Sequence, residues 1–134
     1  FFFCQQHFPE NFWNPALQRH DNSAIGVGRV VVTGADLPAG GSFLQRWLGG
    51  TVTAEPEGMT AVTAGGKVSF WSAEGSRRQF GDDPLFATPE PRFAAIVFTV
   101  ESLAAAELSL RAGNVPHRRE GRRLVVPSEV AFGV

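Results

Sequence analysis

Three places in the sequence hold reactive residue types at short spacing. Cys4, His7 and Glu10 could supply a thiol nucleophile, a base and a group that orients the base. His117 stands among Arg118, Arg119, Arg122 and Arg123 around Gly121, the composition of a basic patch for phosphate or RNA. Arg77 and Arg78 could close over an anion. Each has a plainer reading. A lone Cys in an aromatic, strand-prone run is ordinarily a buried hydrophobe, the arginine cluster reads as a solvated hairpin, and residues 77–78 read as an exposed loop. His20, in "QRHDNSA", reads as a surface or capping residue. Neither Gly-rich stretch makes a phosphate loop: "GGK" at 65–67 lacks the earlier Gly and the following Ser or Thr, and "GVG" at 26–28 precedes a β-branched run instead of following it.

Composition narrows the partners. A chain of 134 residues suits one domain. Twelve basic against thirteen acidic residues give no net field to draw nucleic acid or an anionic membrane, so a small organic molecule is the expected partner. One Cys excludes an internal disulfide, and one Cys with three His leaves little for a structural zinc site. No apolar run approaches the ~20 residues of a spanning helix and no basic-then-apolar leader is present, which sets the expectation of a soluble, cytoplasmic protein. The start at "FFFCQQ", without Met, reads as part of a longer product.

The elements that must position these residues come in two copies. "VVTGADLPAGGSFLQ" from Val31 aligns with "VFTVESLAAAELSLR" from Val97, pairing Val31 with Val97, Thr33 with Thr99, Leu37 with Leu103 and Leu44 with Leu110. Downstream "EGMTAV" matches "EGRRLVV" and "KVSF" matches "EVAF". Each half reads as strand, helix and three short strands. In the first, the strand at 30–33 leads to Asp36 as N-cap, a helix with Leu37, Gly41, Leu44 and Leu48 on one face, a Gly49-Gly50 stop, and strands at 51–54, 59–64 and 67–71. Phe43 and Trp47 of this helix are expected in the core. In the second, the strand at 94–100 leads to Ser102 as cap, Leu103, Ala106 and Leu110 as the inner helix face, and strands around 117, at 124–126 and at 130–134. The stretch between, "AEGSRRQFGDDPLFATPEP", has no sustained period and reads as a connector.

A tandem strand-helix-three-strand repeat resembles the vicinal-oxygen-chelate superfamily, which includes glyoxalase I, extradiol dioxygenases and bleomycin-resistance proteins. "VVTGADLPAGGSFLQRWLGG" is similar to its strand, Asp-Leu pair and helix ending in Leu-Gly. The opening "FFFCQQHFPENFWNPALQRHDNSAIGVGRVVV" is similar to the junction of two-domain glyoxalase-like proteins, where an aromatic-Cys-Gln strand closes an upstream domain. The resemblance implies an α+β fold of tandem βαβββ modules, a curved mixed sheet with helices on its convex face. It divides the chain into residues 1–25, an N-terminal strand and linker, and a glyoxalase-like domain at 26–134 with modules near 26–75 and 92–134. It also implies a divalent metal held from the first and fourth strands of each half. Those positions are Arg29, Ser69, Ala95 and Ala131 here, none a usual ligand, so no metal or other cofactor is expected.

Strand alternation supports the same facing without the family. Ile96, Phe98 and Val100 form a large apolar set suited to lie under a helix; Ala95, Val97 and Thr99 face the other way, as do Arg29, Val31, Ser69 and Trp71 in the first half. Arg29, Ser69, Trp71 and Thr99 thus give the smaller face a cation, two hydroxyls and an aromatic wall, the lining of a small-molecule pocket. Arg29 on that face must find a carboxylate, a ligand anion or water. The reading is a metal-free or catalytically degenerate binding domain. The alternative is part of a lyase, isomerase or dioxygenase whose metal lies in an upstream domain. The apolar opening segment, 1–8, needs a strand partner, which predicts a homodimer or pairing with an upstream domain.

Overall fold

In the computed structural model, which describes residues 5–131, the chain runs through β1 (Ala24–Thr33), α1 (Leu37–Leu48), β2 (Val52–Glu55), β3 (Gly58–Thr63) and β4 (Gly66–Trp71). It continues through α2 (Ala73–Phe80), β5 (Arg92–Val100), α3 (Leu103–Ala112), β6 (Arg118–Glu120) and β7 (Arg123–Val125). Short 3-10 turns occur at Pro9–Asn11, Pro15–Leu17, Pro84–Ala87 and Ser128–Val130. Cys4, and with it the Cys4, His7, Glu10 set, falls partly outside the described residues, as does the end of the strand expected at 130–134.

The fold is α+β, with a mixed five-stranded sheet in the order β2-β3-β4-β1-β5. β1 runs parallel to β4 and antiparallel to β5, which brings the two first strands of the repeat side by side at the sheet centre and edge. Both repeat helices start where their caps predict. The Asp36 carboxylate accepts from the Ala39 N–H at 2.9 Å and the Ser102 hydroxyl from the Ala105 N–H at 3.2 Å. α1 ends at Gly49, whose φ of 63° takes the left-handed conformation that a side chain resists.

Alternation decides the two cores. On one face Val32, Ala61 and Phe70 meet Leu44 of α1, with Leu37 and Leu48 packed around them. On the other, Val31 and Trp71 meet Phe86, flanked by Phe80, Leu85 and Ala95. The second core exists because the expected connector is not a plain loop. Ser72 caps α2 by accepting from the Gly75 N–H at 2.9 Å, and α2 with the Pro84–Ala87 turn supplies Phe80 and Phe86. Eight residues are too few for their period to show.

Three expectations change. Phe43 is exposed, stacked on Trp47 one turn away at 5.7 Å between centroids, since Gly40, Gly41 and Leu44 take the inner face. β6 and β7 pair only with each other among the described residues, and residues 128–130 form a 3-10 turn instead of starting a strand. Asp83 explains that turn: it accepts from the Ser128 hydroxyl at 2.9 Å and the Ser128 N–H at 3.4 Å, just after Pro127. Finally, Ile96 and Phe98 are 42% and 59% exposed, while α3 makes its main strand contact with β7.

Candidate functional site

The strand register assembles a polar row on the face opposite α1. Val31 lies beside Ser69, Ser69 beside Thr60, and Thr60 beside Thr53, so all four project to that side. Arg29 and Glu55 belong to the same face by alternation, on β1 and β2, and their long side chains meet above the row. Arg29 Nη1 donates to Glu55 Oε2 at 2.8 Å and to Ser69 Oγ at 3.1 Å, and Nη2 reaches Glu55 Oε1 at 3.4 Å. The Ser69 and Thr60 hydroxyls are bonded at 2.8 Å. The cation demanded by the sequence pattern therefore finds a carboxylate, and that carboxylate is Glu55.

Glu55 was not among the expected site residues. Its signal lay in the same alternation rule, carried across Thr53 and Glu55 of "TVTAE" to the Thr60 and Ser69 side. The Arg29 hydrogen bond outweighs burial and holds the Glu55 carboxyl below its ordinary value, with Thr60 helping. With side chains 18% and 25% exposed, the pair is screened less than a surface ion pair.

Trp71 gives this cation an aromatic face. The Arg29 guanidinium carbon lies 4.9 Å from the Trp71 ring centroid, within cation–π range. Trp71 is buried and stacked on Phe80 at 5.7 Å, and its indole Nε1 has no hydrogen-bond partner among the described residues. A buried donor without an acceptor is costly. Arg29 has five N–H groups, of which Nε–H and one on Nη2 have no partner among the described residues.

Of the four expected site residues, the structure brings Arg29, Ser69 and Trp71 together. Ser69 is fully buried beneath the guanidinium, where it positions Arg29. Thr99 stands farther along β5, opposite Gly26 and exposed. Arg29, Glu55, Trp71 and Thr99 line one cleft of about 1880 Å³, together with Ala106 and Leu110 of α3 and Leu124 of β7. That volume exceeds the roughly 300–1,000 Å³ of common ligand pockets, leaving room for a molecule with an extended part.

The other sequence candidates settle into structural roles. Arg77 pairs with Asp82 and donates to the Phe86 carbonyl, and Arg78 pairs with Glu74. Around the hairpin, Arg119 and Arg111 share Glu107, while Arg118 and Arg123 share Glu120. Those contacts hold Glu107 and Glu120 below the usual carboxylate range, Arg119 and Arg118 being the first causes. Arg118 also donates to the Phe80 carbonyl and Arg123 to Gln79, which ties the hairpin to α2. His117 Nδ1 lies 2.8 Å from the Val115 carbonyl, and His7 and His20 are exposed.

A divalent metal does not fit the positions implied by the family resemblance. Arg29 places a permanent cation there, already paired with the nearest carboxylate, and the Ser69 hydroxyl is committed to Arg29 and Thr60. Ala95 has no donor atom, and Ala131 follows the Ser128–Val130 turn. Among the described residues no three His, Cys, Asp or Glu side chains gather, and no helix is long and apolar enough to cross a membrane.

No family model and no curated protein sequence matches the chain. Among solved structures, the chain is similar to methylmalonyl-CoA epimerase from Mycobacterium tuberculosis, with a TM-score of 0.60 and 17% identity over 87% of each chain. That protein is a member of the vicinal-oxygen-chelate superfamily. The likeness establishes the fold, an α+β arrangement of the vicinal-oxygen-chelate kind, for this chain.

Proposed function

We propose that residues 26–134 form a glyoxalase-like small-molecule-binding domain whose cleft holds its ligand without a metal. The observation that carries this reading is the Arg29 guanidinium, set between the Glu55 carboxylate and the Trp71 ring at the wall of the large cleft. Glu55 neutralises much of the charge, so recognition falls to the spare Arg29 N–H groups as directed donors rather than to net charge. The ligand class is a planar organic molecule bearing a carbonyl or weakly acidic carboxyl group. Its acceptor would take the remaining Arg29 N–H groups, and its apolar body would lie along β5 toward Thr99, with the buried Trp71 ring backing the guanidinium.

Titration with 2-naphthoate, read by tryptophan fluorescence in a Trp13→Phe/Trp47→Phe background, tests the reading. Saturable quenching of Trp71 is the expected result. Arg29→Met combined with Glu55→Gln, which removes the cation without stranding its carboxylate, should weaken binding by about 1–3 kcal/mol, the range for a charge-assisted hydrogen bond. Unchanged affinity would place the ligand elsewhere. Binding that requires added zinc or manganese would overturn the metal-free reading.

A further inference from the structure

The cleft beside Arg29 extends past the rim of the sheet. Among the described residues β5 is an edge strand, bonded to β1 on one side only. Its side chains alternate. Val97 and Thr99 share the Arg29 face, whereas Ile96 and Phe98 share the opposite, α1 face with their register partners Val30 and Val27. Residues of both sets line the one cleft, so it wraps around the free edge of β5 from one side of the sheet to the other.

The two ends of the cleft differ in chemistry. At one end stand the Arg29 guanidinium, the Glu55 carboxylate and the Trp71 ring. Beyond the edge the lining turns apolar. Ile96 and Phe98 are 42% and 59% exposed on the strand, and they share the cleft with Leu103 and Leu110 of α3 and with Leu124 and Val126 at β7. The crevice is open because α3 packs mainly on β7, unlike α1, which closes over Val32 and Phe70 in the first half. β5 carries no charge from Phe93 to Val100, nor does α3 from Leu103 to Ala106. Of the hairpin arginines that also line the cleft, Arg118 and Arg123 are paired with Glu120, and Arg122 is exposed at the turn.

We infer that the ligand carries a long, flexible alkyl chain, which leaves its planar head at Arg29, turns around the edge of β5 and lies in the apolar crevice beside α3. The inference rests on the ligand-binding role proposed for Arg29 and extends it to the rest of the molecule bound. Shape argues for a chain. A rigid ring system fits one side of a sheet, whereas passing from one side to the other demands a bend, which an alkyl chain makes through its staggered torsions at little cost. Size agrees, because a cleft of about 1880 Å³ has room for such a tail beyond a head that alone would fill a pocket of common size, roughly 300–1,000 Å³. Burial supplies the affinity, since the tail and the exposed Ile96 and Phe98 side chains leave water together. A polar or charged tail would instead lose its hydration against leucine and valine with no partner in return.

Calorimetric titration of the full chain with para-ethyl-, para-butyl-, para-hexyl- and para-octylbenzoate tests the inference, with Ile96→Thr/Phe98→Thr as the crevice variant. Both positions are exposed, and circular dichroism checks that the variant keeps the fold. From butyl to octyl, each added pair of carbons should tighten binding roughly 10–15-fold, the equivalent of about 0.8 kcal/mol per buried CH2. The crevice variant should cut each step to about fourfold, because one of the two walls no longer excludes water well, and leave para-ethylbenzoate unchanged. Arg29→Met/Glu55→Gln should weaken every member by one common factor and keep the steps. Equal affinity from ethyl to octyl overturns the inference and leaves the Arg29 reading standing. Steps that are the same size in the crevice variant place the chain elsewhere and also overturn it. Steps that shrink in the crevice variant, with no member affected by Arg29→Met/Glu55→Gln, support the crevice and overturn the Arg29 reading.

Discussion

Arg29 and Glu55 meet 2.8 Å apart although they stand on β1 and β2, strands separated by β4 and β3 in the sheet. The side chains reach toward each other above Ser69 and Thr60, whose hydroxyls form the floor beneath them. One ion pair thus spans the concave side and holds the cation against Trp71. Replacing Glu55 with Gln should lower stability by ~1–2 kcal/mol, the scale of a hydrogen bond to a charged group in a partly buried setting. A double-mutant cycle with Arg29→Met should return a coupling energy of the same sign. Additive single effects would show that the pair is not formed in solution.

The same pair predicts a pH dependence. Glu55 is held below its ordinary value of 4.5, chiefly by the Arg29 hydrogen bond. Its folded form therefore prefers the carboxylate, and the stabilisation is fully present above that ordinary value. It is lost as the pH falls through the depressed folded value. The melting-temperature advantage of wild type over Glu55→Gln should be constant from pH 7 to 5 and then shrink toward zero in more acid solution. Asp83 also titrates low, as its Leu85 and Ser128 hydrogen bonds outweigh burial. It is present in both proteins and cancels in the difference.

Gly40 offers a test of the α1 packing in which helix propensity and sterics give opposite signs. An Ala in a helix interior ordinarily stabilises by about 0.5–1 kcal/mol relative to Gly. Here a β-carbon at Gly40 would run into the Phe70 ring. Gly40→Ala should therefore destabilise by ~1–3 kcal/mol through overpacking. Denaturant unfolding decides it, and a more stable variant would mean that α1 does not lie this close to β4.

Leu44 is the converse case. It is 1% exposed beneath α1, touching the Val32 and Phe70 core. Leu44→Ala should cost about 2–5 kcal/mol, enough to threaten a domain of this size. Leu108→Ala, at a site that is 67% exposed on α3, should stay within about 0.5 kcal/mol.

Much of this arrangement was legible in the residues, for physical reasons that also explain the misses. α1 and α3 begin 66 residues apart, at Leu37 and Leu103, because Asp36 and Ser102 are strong caps ahead of apolar positions at helical spacing. Alternation alone places Arg29, Ser69 and Trp71 on one face, as the strand register does. The same rule reaches Glu55, but only after β2 is known to lie two strands from β4, a long-range fact that period does not encode. α2 was hidden by its length and its charged outer face, so its real signal was the Ser72 cap. Only the start of the last expected strand lies among the described residues, and there Pro127 and the Asp83–Ser128 bonds bend residues 128–130 into a turn.

We propose that Trp71 and Arg29 form the wall against which a ligand binds without a metal. Trp71 has a buried indole N–H with no acceptor among the described residues, and the chain has three tryptophans in all. A nitrogen-correlated proton spectrum of the labelled protein in the presence of a chelator should therefore show three indole signals, with Trp71 assigned by Trp71→Phe. Stepwise addition of 2-naphthoate should move the Trp71 signal saturably and leave Trp47, outside the cleft, nearly still, with the response lost in Arg29→Met/Glu55→Gln. A Trp71 signal that stays fixed while the probe binds, or that moves only when divalent metal replaces the chelator, would contradict the account.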